Sequence, residues 1–201
     1  ISDEFQDGVP GYYTNKFLVQ KDSSIQKVED LKGKILATNG GGSAVDIAMR
    51  AMLRKHKIDD NKGVTWVEAP LPNFGAFLME KKADHAPSVL PFSENPKLQA
   101  ATRILYTQSD AVGQTQMIIW AARKPFLDKN KAAMIDFFED AMIAMHWFED
   151  EANHAATVKL VSDFTKVPPA VFDSWIFTKK DYYRSPKLIP NLAALQKNID
   201  L

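Results

Sequence analysis

Three consecutive glycines, Gly40, Gly41 and Gly42, precede Ser43, and Asp46 follows three residues later. Backbone of this kind turns sharply and lets another molecule come close. Ser43 suits the N-cap of a helix, and Asp46 completes a capping-box pattern. The free N–H groups of a first helical turn, with the positive end of the helix dipole, attract an anionic or strongly polar group. Gly41, Gly42 and the Ser43 hydroxyl are therefore the expected donors, with Asn39 beside them, and the turn is one half of a candidate ligand site. A glycine-rich turn of this kind also occurs as plain structure. Its spacing matches neither the phosphate loop, which ends in Gly-Lys-Ser/Thr, nor the dinucleotide fingerprint.

Little else in the chain has the spacing that chemistry needs. There is no cysteine, which excludes disulfides, thiolate metal sites and cysteine nucleophiles. His56, His85, His146 and His154 show no metal-ligand spacing, and each reads as an isolated histidine. No serine stands in a Gly-x-Ser-x-Gly elbow. Glu139-Asp140 and Glu149-Asp150-Glu151 read as solvated faces or a helix start. The sequence thus names no catalytic residue, metal ligand or cofactor, and points away from an enzyme.

The elements that must position the glycines are legible on both sides. Lys34–Thr38 reads as a buried strand, and Ala44–His56 recurs apolar at helical spacing. Val64–Glu68 alternates and reads as a second strand. Pro70 and Pro72 open a helix carrying Phe74, Phe77 and Leu78, and Ser88–Leu90 reads as a third strand ended by Pro91. This β-α-β-α-β order predicts a parallel unit with its ligand loops at the strand C-termini. The other two loops on that edge are 69–74 and 90–94. Asn73 and Ser93 are their candidate hydrogen-bonding residues, and Phe74 and Phe92 are candidates to pack against an apolar part of a ligand. Either phenylalanine can instead serve the core, Phe92 rather more than Phe74.

Outside this unit, 1–11 reads as a polar opening ending in the turn Gly8-Val9-Pro10-Gly11. Lys16–Gln20, Arg103–Tyr106 and Gln116–Ala121 read as strands. Lys131–Phe148 places Met134, Phe138, Ala141, Met145 and Phe148 on one stripe of a long amphipathic helix. A helix over 151–164 carries Ala155, Val158, Leu160 and Val161, another is expected over 170–175, and a last one over 192–199. Gly113 and Gln114 precede a strand and suit a hinge or, equally, a plain strand start.

Bulk properties narrow the class. The 201 residues are 45% hydrophobic and 25% charged, and 25 basic side chains balance 25 acidic ones. That balance speaks against a nucleic-acid binder, and the longest apolar run, Met117–Ala122, is too short to cross a bilayer. The chain begins at Ile1, which reads as a processed, engineered or truncated start.

Taken in order, these features resemble a known family. Val28-Glu29-Asp30-Leu31-Lys32-Gly33-Lys34, then a small-residue loop, then Ser43-x-x-Asp46 and its helix, are similar to solute-binding proteins of ABC importers. The branch is the nitrate/sulfonate/taurine and thiamine-precursor type. Phe17–Ser23, Pro70–Asp84, Pro91-Phe92, Lys124–Leu127 and the tail from Phe177 through Leu201 continue the likeness. Two departures stand out. Lys81-Lys82-Ala83-Asp84-His85 replaces Gly-x-x-Asp-Ala, and Leu90-Pro91-Phe92 replaces Glu-Pro-Phe. The resemblance implies a two-lobed α/β fold of the type II periplasmic-binding class, lacking about 100 residues of the first lobe, within the usual domain range. It assigns 1–33 to a remnant of lobe I and the first crossing, 34–121 to lobe II, and 122–201 to helices completing lobe I.

The function implied is that of a substrate-binding component. A small anionic or polar solute (a sulfonate, carboxylate, nitrate or pyrimidine) enters an interlobe cleft and passes to a membrane permease, in a periplasmic or otherwise extracytoplasmic compartment. Self-association, or a separate N-terminal fragment, would cover the stripe on 131–148. Two alternatives share the fold: an enzyme similar to thiamine-pyrimidine synthases, whose cysteine-rich motif is missing here, and a sensory ligand-binding domain.

Overall fold

The computed structural model describes residues 2–200; the outermost residues of the first and last expected segments, 1 and 201, lie outside the described residues. The strands are β1 (Ser2–Asp7), β2 (Lys16–Gln20), β3 (Ile35–Thr38), β4 (Thr65–Glu68), β5 (His85–Ser88), β6 (Thr102–Thr107) and β7 (Thr115–Trp120). The α-helices are α1 (Ala44–Lys55), α2 (Phe74–Met79), α3 (Pro96–Ala101), α4 (Gln108–Val112), α5 (Lys124–Lys129), α6 (Lys131–Glu149), α7 (His154–Thr165) and α8 (Leu192–Asp200). The fold is α/β. The chain divides into two compact units, one of them Thr14–Gln114, the other running up to Tyr13 and resuming over Thr115–Asp200.

The unit Thr14–Gln114 is built on a five-stranded sheet of order β4-β3-β5-β2-β6. β3 runs parallel to β4 and β5, and β2 runs antiparallel to β5 and β6. One face carries small residues, Ala37 and Ala86, beside Leu18, so helix α2 can sit close and bury Phe74 and Leu78 there. Burying two such side chains contributes roughly 2–3 kcal/mol each. The alternate residues of the same strands point the other way. There Phe17 stacks on Tyr106 at 4.7 Å, and His85 lies beside them. Helix α1 buries Val45, Ala48, Met49, Met52 and Leu53, the apolar positions expected from the sequence.

β5 begins three residues before the expected strand over 88–90 and contains Pro87. Its pairing with β3 is at Leu36↔His85, and Pro87 lies two residues beyond, facing Phe17 of β2. No ladder donor is needed from Pro87 on the β3 side, which is where a strand tolerates proline. The departure Lys81–His85 also has a physical account. Lys81 holds φ +58°, the left-handed conformation glycine adopts freely. Asp84 accepts the Ile35 N–H at 2.9 Å and so pins the start of β3.

The second unit holds β1 and β7 as an antiparallel pair. The expected polar opening is thus a strand. Its inward polar groups are paired: Asp3, 1% exposed, accepts from the Ser185 N–H at 2.7 Å and from Gln116. Helix α6 turns Met134, Phe138, Ala141, Met145 and Phe148 inward, the predicted stripe. In α7, Val158 is buried but Leu160 is exposed. The helix expected over 170–175 is a 3-10 turn, Pro169–Val171, closed by the Trp175 indole N–H donating to the Val171 carbonyl at 2.6 Å.

The unit with the glycine turn therefore starts before residue 34 and ends before residue 121. Strand β2 is paired with β5 and β6, and β7 is paired with β1. No helix among the described residues is long and apolar enough to cross a membrane.

Candidate functional site

The C-terminal ends of β3, β4 and β5 lie on one edge of the sheet. Thr38 pairs with Glu68, and Lys16 pairs with both Ser88 and Thr107. That edge carries the glycine turn 39–43, the loop 69–73, the loop 89–94, and the start of β2. Sheets of this type bind ligands outside the carboxyl ends of their strands.

The glycine turn is shaped as its composition requires. Gly40 and Gly42 hold φ +143° and +78°, and the space where a side chain would project from Gly40, Gly41 or Gly42 is open to 4 Å. Its hydrogen bonds differ from the expected set. The Ser43 hydroxyl accepts the Asp46 N–H at 3.3 Å and donates to Asn39 Oδ1 at 2.6 Å. Asp46 Oδ2 reaches one residue past the N-cap and accepts the Gly42 N–H at 2.9 Å. Ser43 and Gly42 thus spend their donors within the turn, which corrects their expected role as donors to an oxyanion. Gly41 N–H meets no acceptor among the described residues, and Asn39 is exposed, with its Oδ1 taken by the Ser43 hydroxyl.

Behind the turn stands a network the sequence did not flag. Arg50 Nε donates to Asp46 Oδ2 at 2.9 Å, and Arg50 Nη1 reaches Asp60 Oδ2 at 3.4 Å. Arg54 Nη2 donates to Asp60 Oδ2 at 2.9 Å. The Arg50 guanidinium lies over Trp66 of β4 at 4.4 Å, a cation–π contact, and the Trp66 indole N–H donates to the Asp60 carbonyl at 2.7 Å. Hydrogen bonds from Arg54 hold the Asp60 carboxyl below its usual range, and the bond that Arg50 donates to Asp46 holds Arg50 above its own. The i, i+4 spacing of Asp46, Arg50 and Arg54 on one helix face was the available signal.

The other candidates divide. Phe74 is 3% exposed and packs in the core cluster with Leu78 and Leu98, so it serves the fold, which corrects its expected ligand contact. Asn73 is exposed at the end of the 3-10 turn Leu71–Asn73. Phe92 is half-buried in the turn Phe92–Glu94, after a cis peptide bond at Leu90-Pro91. Ser93 is buried, and its hydroxyl donates to Glu94 at 3.3 Å. Ser93 also lines a recess of about 300 Å³ with Lys16, Ser88 and Arg103, which includes no residue of the glycine turn. On the same edge, Asn15 donates to Gln108 Oε1 at 2.9 Å, both buried, a pair with no sequence signature. The histidines are separate: His56 pairs with Glu29, His146 with the Pro186 carbonyl, His154 with the Asp173 carbonyl, and His85 is inside the sheet.

A family model described as NMT1/THI5 like matches residues 12–148. The chain belongs to the NMT1/THI5-like family. Solved structures agree with the fold. The periplasmic aliphatic sulphonate binding protein SsuA from Escherichia coli superposes with a TM-score of 0.66 at 20% identity, over 85% of this chain and 56% of that one. The periplasmic nitrate-binding protein NrtA from Synechocystis PCC 6803 gives 0.63 at 12%, over 88% and 51%. The desulfurization enzyme DSZB gives 0.59 at 16%, over 98% and 69%. The chain thus spans about half the length of SsuA and NrtA. No curated protein matches it in sequence.

Proposed function

We propose that this chain is the greater part of the solute-binding component of an ABC-type importer, working outside the cytoplasm and handing its solute to a membrane permease. The carrying observation is the glycine turn. Its open space and unclaimed Gly41 N–H lie at the C-terminal end of a parallel strand, in a chain of this family. Asn39, Gly41, Asn73 and Phe92 are the contacts proposed for the solute, with Gly42 and Ser43 as the frame that presents them. Family membership and the shared fold of SsuA and NrtA support the reading; those two proteins bind sulphonate and nitrate. We further propose that the unit Thr14–Gln114 is one lobe and that the other unit belongs to the second lobe.

Native mass spectrometry followed by calorimetric titration of nitrate, ethanesulfonate and small pyrimidines tests this. Micromolar binding that weakens at least tenfold in Gly41→Val, with unchanged melting, is the expected result. Binding of none of these classes, or binding indifferent to Gly41, contradicts it. An enzyme is the second reading, because DSZB shares the fold. Against it, the buried His85 commits both ring nitrogens, to the Leu18 carbonyl at 2.9 Å and the Tyr106 hydroxyl at 3.0 Å.

A further inference from the structure

Asn39-Gly40 is the single Asn-Gly pair of the chain; every other asparagine is followed by a residue that carries a Cβ. A backbone nitrogen can attack the side-chain carbonyl of the asparagine before it and close a five-membered imide, and a glycine on that nitrogen crowds the approach least. Three observations at this pair favour the reaction. Asn39 is exposed, and its Nδ2 donates no hydrogen bond among the described residues, so the leaving nitrogen is held by nothing there. The Gly40 N–H reaches Thr38 Oγ1 at 3.5 Å, longer than a firm hydrogen bond, so the nucleophile is weakly held. Asn39 Oδ1 accepts the Ser43 hydroxyl at 2.6 Å. That bond, to a residue four places ahead, folds the side chain forward over the turn, and it sets an O–H donor on the oxygen where negative charge develops during attack.

We propose that Asn39-Gly40 is a site of spontaneous deamidation, with the Ser43 hydroxyl as the donor to its oxyanion. The Gly40 nitrogen gives its proton to hydroxide and attacks Asn39 Cγ. The N–Cγ bond forms, and the carbonyl electron pair moves onto Oδ1, where the Ser43 hydroxyl meets it. The pair then returns, the Cγ–Nδ2 bond breaks, and Nδ2 takes a proton from water and leaves as ammonia. Water opens the succinimide at either carbonyl, to aspartate or isoaspartate. One water enters and one ammonia departs, with no oxidant or reductant. Either product adds a carboxylate to the turn. Asp46 and Asp60 already balance Arg50 and Arg54 behind it, so none of these four groups is left to neutralise the new charge. On the reading of the turn as a solute site, conversion makes a neutral wall into one that repels an anionic solute.

Peptide mapping by mass spectrometry after incubation in mildly alkaline buffer follows every asparagine, in the folded chain and in the chain unfolded by guanidinium. The expected result is conversion at Asn39 at least tenfold faster than at any other asparagine of the folded chain. Its rate stays within tenfold of the unfolded rate and rises with pH, because the attacking nitrogen must lose its proton. Folded conversion more than tenfold below the unfolded rate, or another asparagine converting first, overturns the proposal. Ser43→Ala should slow the folded chain at least threefold and leave the unfolded rate unchanged; an equal or faster folded rate overturns the role given to Ser43. Asn39→Asp, which fixes one product, should weaken ethanesulfonate at least tenfold in calorimetry, and equal affinity overturns the consequence drawn for the solute. If the natural protein binds no solute, the solute site fails, while the mapping still decides the modification.

Discussion

His85 stands in β5 where the family pattern places alanine, and it carries a cost in acid. It is fully buried, its Nδ1 faces the Leu18 carbonyl and its Nε2 the Tyr106 hydroxyl. Burial pushes its pKa down to about 4 from an ordinary 6.5. The unfolded chain therefore binds one more proton than the folded chain between those values, and stability rises with pH across that window. The full contribution is present above pH 6.5 and is lost as the pH falls toward 4. Over 2.5 pH units the loss is about 3 kcal/mol. Urea denaturation at several pH values should show this slope, and His85→Phe should flatten it. A second residue-scale expectation concerns Phe74. As a core side chain, Phe74→Ala should cost about 3–5 kcal/mol and lower the melting temperature. A change in solute affinity without loss of stability would return it to the site.

Helix termini and turns explain most of what the sequence did and did not reveal. Ser43 was legible as a cap because a polar N-cap before an apolar period is a local code. Its bond to Asn39 and the use of Gly42 by Asp46 are not, because they depend on how tightly the turn closes. β1 has no strand signature because all of Ser2 to Asp7 but Phe5 are polar, and only Gln116 and the Ser185 backbone, over a hundred residues away, satisfy the buried Asp3. The third strand lies three residues earlier than the apolar run 88–90 suggests, because His85 and Pro87 carry no strand signal and only the register with β2 and β3 places them in the sheet. The sequence favours Phe92 over Phe74 for the core, whereas the packing of α2 on the sheet buries Phe74 and leaves Phe92 half-buried.

Two predictions belong to this scale. Lys81, at φ +58° just past α2, occupies a position that favours glycine, so Lys81→Gly should stabilise by roughly 1 kcal/mol in thermal melts. Gly63 lacks room for any side chain, since a Cβ there would lie 2.5 Å from the Asp59 carbonyl oxygen. Gly63→Ala should therefore destabilise by about 2 kcal/mol or more, while Gly41→Ala, with open space, should stay within about 0.5 kcal/mol.

At the scale of the whole molecule, helix α6 is the informative element. Its inward stripe packs in its own unit, yet Ile135, Phe137, Ile143 and Trp147 are 40–68% exposed on its remaining surface. Exposed apolar surface of this kind draws partners. The chain alone should therefore self-associate in sedimentation velocity, and Ile143→Lys with Trp147→Lys should restore the monomer. The two segments that join the units pass through Tyr13-Thr14 and Gln114-Thr115. Gly113, at φ +70°, ends α4 immediately before the second of these.

Amide-resolved NMR of the full chain, titrated with ethanesulfonate and small pyrimidines, tests the central assignment most directly. Solute binding at the C-terminal sheet edge predicts shifts concentrated in 39–44, 70–74 and 90–94. Shifts confined instead to the cavity of about 750 Å³ near Tyr12, Glu149 and Arg184, with the glycine turn unmoved, would contradict it.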